Sequence, residues 1–374
     1  FSSRRRHTRL PLVSGLGDVY KRQVLVESGK QYKVLTLTDC FEYDEKTYNY
    51  YGSYSFTGTK IEQAVVTAIL NVTTDDKVVV DMIKGNNEQD YSSLKTLLEN
   101  NAYQVNEVSL ATGDFDSNAK IAIMYAPSVD LDEKIVEKLS TWLSNDGKYG
   151  RSLIYVPTAD MGEMPNLDDF LKEWGMSIDR GYVFETDEST LVSASSPYAF
   201  TVSYGDYYKD NLKNSKIPVV VSESHAVNIT DENTAHALLK TSDKAGVLPI
   251  DADKNWDYKD AVSGNGENVA AEGVMTNEDK NSSRVIIFGS YVMFSDTIMK
   301  YNSFNNSAYF MNVINTIADK EDVGITIESK SIDNTELGIT DVATQNTMLV
   351  VFVIIIPIAI LVAGFVFWLR RRNR

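Results

Sequence analysis

The sequence predicts an α/β fold, a mostly parallel sheet with helices on its faces in a Rossmann-like or amidotransferase-like layering, followed by one C-terminal transmembrane helix. Three observations carry this. From Lys77 to Pro157 the chain alternates in the order strand, helix, strand, strand, helix, strand. The first of these runs, KVVVDMI (77–83), is almost continuously apolar, as in a strand covered on both faces. Near the end, residues 348–369 contain no charged side chain.

In chain order, KVVVDMI is the first strand, and a helix over 88–100 follows with Tyr91, Leu94, Leu97 and Leu98 on one face. YQVNEVSL (103–110) and AKIAIMYAP (119–127) read as strands. DLDEKIVEKLSTWLSNDG (130–147) is the strongest helix. Asp130 is its expected cap, Glu133 completes a capping box, and Leu131, Ile135, Leu139, Trp142 and Leu143 form its buried stripe, with Gly147 as the stop. RSLIYVP (151–157) is the next strand, 167–175 a short helix ending at Gly175, and 198–241 several short strands. The stretch 243–282, rich in Asp, Asn, Gly and Lys, reads mainly as loop. RVIIFGS (284–290) is again a buried strand, and a helix near 307–318 presents Phe310, Val313, Ile314 and Ile317. ITIES (325–329) is expected to close the domain, and the polar residues 330–347 form a stalk. No internal repeat is present.

The two ends differ from the middle. A helix over 348–369 would be ~33 Å long at ~1.5 Å per residue, about the thickness of a bilayer core. Pro357 lies inside it, Trp368 at its end, and Arg370, Arg371 and Arg372 follow. By the positive-inside rule the tail 370–374 is cytoplasmic, and the domain 24–329, with its N-terminal extension, is extracytoplasmic. Residues 1–23 carry six basic residues and one acid without an apolar segment. SSRRRHTRLPLVSGLGDVYKRQ resembles translated sequencing-adapter read-through, so 1–23 are set aside as an artefact and a first membrane helix is expected to be missing.

A hydrophobic fraction of 43% with 24% charged residues excludes wholesale disorder. The net charge of −16 argues against nucleic acid as a partner, and the single Cys40 excludes a disulfide framework.

No motif assembles an active site. GSYSFTGTK (52–60) has five residues between its glycines and Thr59 before Lys60, so it is not a P-loop, and a helix start before Ile61 explains it better. DADKNWDYKDAV (251–262) places Asp251, Asp253, Asn255 and Asp257 at alternate positions. Trp256 and Val262 stand where a calcium loop needs Gly and Glu, and a solvated acidic loop is the better reading. Ser222, Ser224 and His225 are close in sequence, but no G-x-S-x-G elbow exists, and His236 reads as a strand residue. After the strand at 119–125, where a nucleophile-bearing turn would matter, the chain reads Ala126-Pro127. The expectation is a protein that is not an enzyme and holds no cofactor or metal. The tyrosine-rich YNYYGSYSF (48–56) makes Tyr48, Tyr50, Tyr51 and Tyr54 a candidate ligand surface for peptides or sugars; tyrosines packed on the domain are the simpler reading.

Several segments in order resemble the GldG-like family, auxiliary proteins of ABC-type transport systems associated with gliding motility. They are YKVLTLTDCFEYD (32–44), SFTGTKIEQAVVTAILNVT (55–73), YAPSVDLDEKIVEKLSTWLSNDGK (125–148), NLDDFLKEWGM (166–176), RVIIFGSYVMFSD (284–296), FMNVINTIADK (310–320) and IPIAILVAGFVFWLRRR (356–372). The resemblance implies a non-enzymatic subunit at the bacterial plasma membrane, partnered by an ABC permease and a separate cytoplasmic ATP-binding subunit. It implies no catalytic residues. The alternatives are a stand-alone ligand-binding or sensory ectodomain and, behind it, a membrane-tethered hydrolase using His225.

Overall fold

The computed structural model describes residues 23–44, 47–48, 52–74, 76–193, 196–210, 212, 214–253, 256–257, 261–262, 264–299, 303–320, 330–332 and 342–372. The chain forms two compact units, one of residues 1–40 and 60–328, the other of 41–59 and 329–374.

The larger unit is built on a ten-stranded mixed sheet. Its strands are β1 (Val79–Ile83), β2 (Gln104–Val108), β3 (Ala119–Tyr125), β4 (Ser152–Val156) and β5 (Leu191–Ser193). They continue with β6 (Ser196–Tyr204), β7 (Val219–Ser222), β8 (Ala235–Lys240), β9 (Asn268–Thr276) and β10 (Ser282–Phe288). The spatial order is β5-β6-β8-β9-β10-β4-β3-β1-β2, with β7 also paired to β6. From β2 through β1, β3 and β4 to β10 the strands run parallel, and the remainder pair antiparallel. The α/β architecture with helices on both faces is therefore present, with an antiparallel extension that the alternation before Pro157 did not announce.

Burial on both faces explains the apolar runs. Val80, Met82, Ile121, Ile123, Ile154 and Ile286 point into one core, while Ile83, Ala122, Met124, Leu153 and Val285 point into the other. Helices α2 (Ser92–Asn100) and α5 (Asn306–Ile317) cover the first face through Leu94, Leu98, Tyr309 and Phe310. Helices α3 (Glu133–Ser144) and α4 (Pro165–Glu173) cover the second through Leu139, Trp142, Leu167 and Phe170. Before the sheet, α1 (Ile61–Thr73) packs against an antiparallel hairpin of Val24–Ser28 and Gln31–Leu35. Residues 1–22, most of the segment set aside above, lie outside the described residues.

One local expectation is corrected and another refined. Asp132, not Asp130, caps α3 by accepting from the Lys134 N–H at 3.0 Å. The Asp130 carboxylate instead accepts from the backbone N–H groups of Leu131, Asn166 and Leu167, so it holds the first turn of α4. The stretch 243–282 is mainly loop, as expected, but it also holds a short strand at Gly246–Leu248 and the whole of β9. NVAAEGVMT lacks the large apolar residues that mark a strand because it passes under a close neighbour. A Cβ on Gly273 would lie 2.3 Å from the Trp174 carbonyl oxygen.

In the smaller unit, Phe41–Tyr43 and Phe56–Thr59 pair antiparallel, and Lys330–Ser331 joins as a third strand. Residues 325–329 lie outside the described residues. The stretch expected as a stalk contains that third strand and the start of a helix, α6 (Val342–Leu349). A π-helical segment, Val350–Ile355, and α7 (Ile356–Arg372) follow directly. Among the described residues no helix is long and apolar enough to cross a membrane. The single transmembrane helix expected over 348–369 is thus divided, although Leu349 and Ile356 at the junctions keep helical dihedrals. Pro357 accounts for the division, since its missing N–H removes the hydrogen bond that would hold the preceding turn in α geometry.

Candidate functional site

The parallel half of the sheet turns back on itself between β1 and β3: from β1 the chain moves outward to β2, then returns to the other side of β1 at β3. In open α/β sheets, ligands bind at the carboxyl ends of strands flanking such a reversal. A cavity of about 670 Å³ opens there. It is walled by Gln89, Asp90 and Ser93 after β1, by Tyr125 at the end of β3, and by Phe294 and Asp296 beyond β10.

Local chemistry fixes these walls. After β1 the chain turns through Gly85 and Asn87, both at positive φ, and Glu88 clamps the turn by accepting from the Gly85 and Asn86 N–H groups at 3.0 and 2.9 Å. Asp90 accepts from the Ser92 N–H and hydroxyl, which starts α2 beside the cavity. Ser93 donates to Asp296 at 3.2 Å and ties α2 to the segment after β10. Tyr125 donates its phenol to the Tyr291 carbonyl oxygen at 2.8 Å, and burial pushes that phenol well above its ordinary pKa, so it stays neutral. Among the described residues that line the cavity there is no Lys, Arg or His. Two carboxylates, several hydroxyls and an aromatic floor suit a neutral or cationic polar molecule better than an anion.

At the inner edge of this site, directly after β3, Ala126 adopts φ 48° and is fully buried. Its N–H donates to Val156 O at 2.7 Å and its carbonyl accepts from the Gln89 N–H at 3.2 Å. A sharp, strained turn after a parallel strand is where α/β hydrolases present a nucleophile. Here it carries a methyl group.

The two described histidines lie elsewhere. His225 is fully buried, with its two ring nitrogens each 3.0 Å from a backbone carbonyl oxygen, those of Gly181 and Thr158. Ser224 turns its hydroxyl to the His225 carbonyl instead of the ring, and Ser222 accepts from Ser290 through its own carbonyl, so the three residues close in sequence form no relay. His236 lies on β8, 3.1 Å from Glu272, which also receives Arg284 at 3.1 Å and the Tyr208 phenol at 2.7 Å. Local sequence carries no sign of this cluster around the buried Glu272, because its members come from three strands and the loop after Tyr204. Cys40 is buried, and burial raises its thiol pKa, with Asp39 adding to the rise.

Of the candidate tyrosines, Tyr48 and Tyr54 are described; Tyr50 and Tyr51 lie outside the described residues. Tyr48 and Tyr54 stack at 4.6 Å, Tyr43 meets Tyr54 edge-on at 5.1 Å, and Tyr54 lies parallel to Phe56 at 5.8 Å. They form one aromatic cluster on their own hairpin, still partly open to solvent. Asn255 and residues 258–260 of the acidic loop also lie outside the described residues. Among the described residues no group of three or more His, Cys, Asp or Glu could hold a metal ion. At the C-terminal end, Trp368 is half exposed. Pro357, Arg370, Arg371 and Arg372 all lie on α7.

No protein-family model matches the sequence, and no curated protein matches it. Among solved structures, the chain is similar to the mmIFT52 N-terminal domain, with 14% identity, 65% of this chain and 98% of that one covered, and a TM-score of 0.48. It is similar to a glutamine amidotransferase from Thermotoga maritima, with 7% identity, 65% and 99% coverage, and a TM-score of 0.38. It is also similar to PurLQS from Thermotoga maritima, with 12% identity, 65% and 100% coverage, and a TM-score of 0.32.

Proposed function

We propose that this chain is a membrane-anchored, non-enzymatic auxiliary subunit of an ABC-type transport system, of the GldG-like kind, whose α/β unit binds a polar ligand without transforming it. The observation that carries this is Ala126. The strained turn at the carboxyl end of β3 lies beside an open cavity, with no nucleophile on it and no histidine among the described lining residues. A turn with no nucleophile, beside a cavity lined by carboxylates and hydroxyls, supports recognition over nucleophilic turnover.

Anchoring rests on the C-terminal end. The α, π and α segments from Val342 to Arg372 abut without a break, and Phe352, Val353, Ile360 and Leu361 each expose more than 60% of their surface. Apolar exposure on that scale needs a cover, and lipid is the cover that a helix ending in Arg370, Arg371 and Arg372 favours. In this reading the bacterial plasma membrane holds the chain, the large unit is extracytoplasmic, and a permease with its cytoplasmic ATP-binding subunit is the partner.

The test is extraction of the full chain from membranes in mild detergent, followed by identification of what accompanies it. Co-elution with a permease and an ATP-binding subunit is the expected result. Consistent recovery alone would overturn the auxiliary role, leaving the stand-alone binding or sensory domain that the cavity also favours. Release from the membrane by high salt without detergent would overturn the anchor.

A further inference from the structure

At the amino-terminal end of the parallel strands, opposite the switch-point cavity, lies a groove of about 550 Å³. Lys30 and Lys33 of the N-terminal hairpin line it, together with Lys77 just before β1, Asn71 of α1, and Tyr103 and Gln104 at the start of β2. A fourth lysine, Lys320, lies over the Tyr103 ring, its Nζ 4.1 Å from the ring centroid, and donates to the Asn101 carbonyl oxygen at 2.8 Å.

Among the described residues these lysines have no ion-pair partner, in a chain whose net charge is −16. Among the described residues, the ion pairs all lie elsewhere, and Lys77 instead donates to the Asn71 side-chain oxygen at 3.0 Å. Glu99 is the one carboxylate among the described lining residues, and it lies beyond ion-pair distance of them. Lys320 is half buried, and among the described residues the charge that acts on it is the Lys77 ammonium. Its pKa is pushed down to about 8, first by burial and then by Lys77. Holding like charges together around a concavity is unfavourable unless an anion completes it.

We propose that this groove binds a phosphate group, held by the ammonium groups of Lys30, Lys33 and Lys77 with Gln104 as a neutral donor, while Asn71, its amide committed to the Thr67 and Glu99 carbonyls, positions Lys77. Lysine serves phosphate as a point charge, and a phosphate supplies the compensation that these lysines lack. Glu99 opposes the anion and limits affinity. The site is independent of the switch-point cavity and of the auxiliary role.

The experiment is lysine footprinting of the full chain in phosphatidylcholine nanodiscs, with acylation of each lysine followed by mass spectrometry. Inorganic phosphate is expected to slow acylation of Lys33 and Lys77 several-fold, where chloride at equal ionic strength does not. Glu99→Gln should lower the phosphate concentration needed. Lys77→Gln, with its circular dichroism spectrum unchanged, should abolish the protection at Lys33. Protection in phosphatidic-acid nanodiscs without added phosphate would make a lipid headgroup the source, and its absence there would make it a soluble phosphate. Equal effects of phosphate and chloride, or no protection in either arm, would overturn the proposal.

Discussion

A left-handed backbone at Ala126 costs about 1 kcal/mol relative to glycine, and the surrounding packing must hold it there. Ala126→Gly trades that relief against loss of a buried methyl and should leave the melting temperature nearly unchanged. Ala126→Val adds branching where neither the φ nor the space allows it. It should destabilise the fold by about 2 kcal/mol or more, read by thermal unfolding of the full chain. Asp81, fully buried in β1, offers a pH test. Burial is the largest influence on its carboxyl and raises its pKa, against the Asp116 N–H at 2.8 Å, which favours the charged form. A folded pKa raised above the unfolded one gives stability that is complete in acid and lost as pH rises through the folded value. Asp81→Asn should therefore raise the neutral-pH melting temperature and flatten its decline above the ordinary carboxylate range; a neutral-pH loss would show that the charge is needed. Lys320 carries the opposite slope. Its folded pKa, near 8, lies below the ordinary lysine value, so stability should rise with pH from about 8 into the ordinary lysine range, and Lys320→Met should remove that rise.

Between elements, side chains brace segments distant in sequence, and here the sequence is least legible. Asp130 stands two residues from the α3 cap and looks like a cap itself, yet its carboxylate serves α4, more than thirty residues on. Nothing local distinguishes those roles, because both use a short acceptor before a helical turn. Asp130→Ala should cost about 1 kcal/mol and loosen α4 first, visible as faster amide exchange at Asn166 and Leu167 while Lys134 is unchanged. The strands β1, β3, β4 and β10 were readable because burial on both faces leaves a continuous apolar run. β9 is not, since Gly273 makes room for Trp174 and the alanines beside it dilute that signal. The same limit hid the switch-point cavity, whose walls come from Asp90, Tyr125 and Asp296, scattered along the chain. The Ala126-Pro127 pair after β3 is legible in the sequence as a turn lacking a nucleophile, and so is the helix over 88–100 that forms one wall.

For the whole molecule, the parallel half of the sheet closes late. β4 pairs on one side with β3, through Ile123 and Ile154, and on the other with β10, through Ile154 and Ile286. Residues 157–281 must be synthesised before that second neighbour exists. Until then β4 is an open edge made of Ser152, Leu153, Ile154, Tyr155 and Val156, the kind of bare, apolar strand that recruits other chains. A nascent chain halted before β10 should accordingly be insoluble or chaperone-bound, whereas one extended past Ile317 should release. The order in which the ribosome delivers the strands thus makes biogenesis, more than the finished protein, the stage at which this molecule is most exposed to failure.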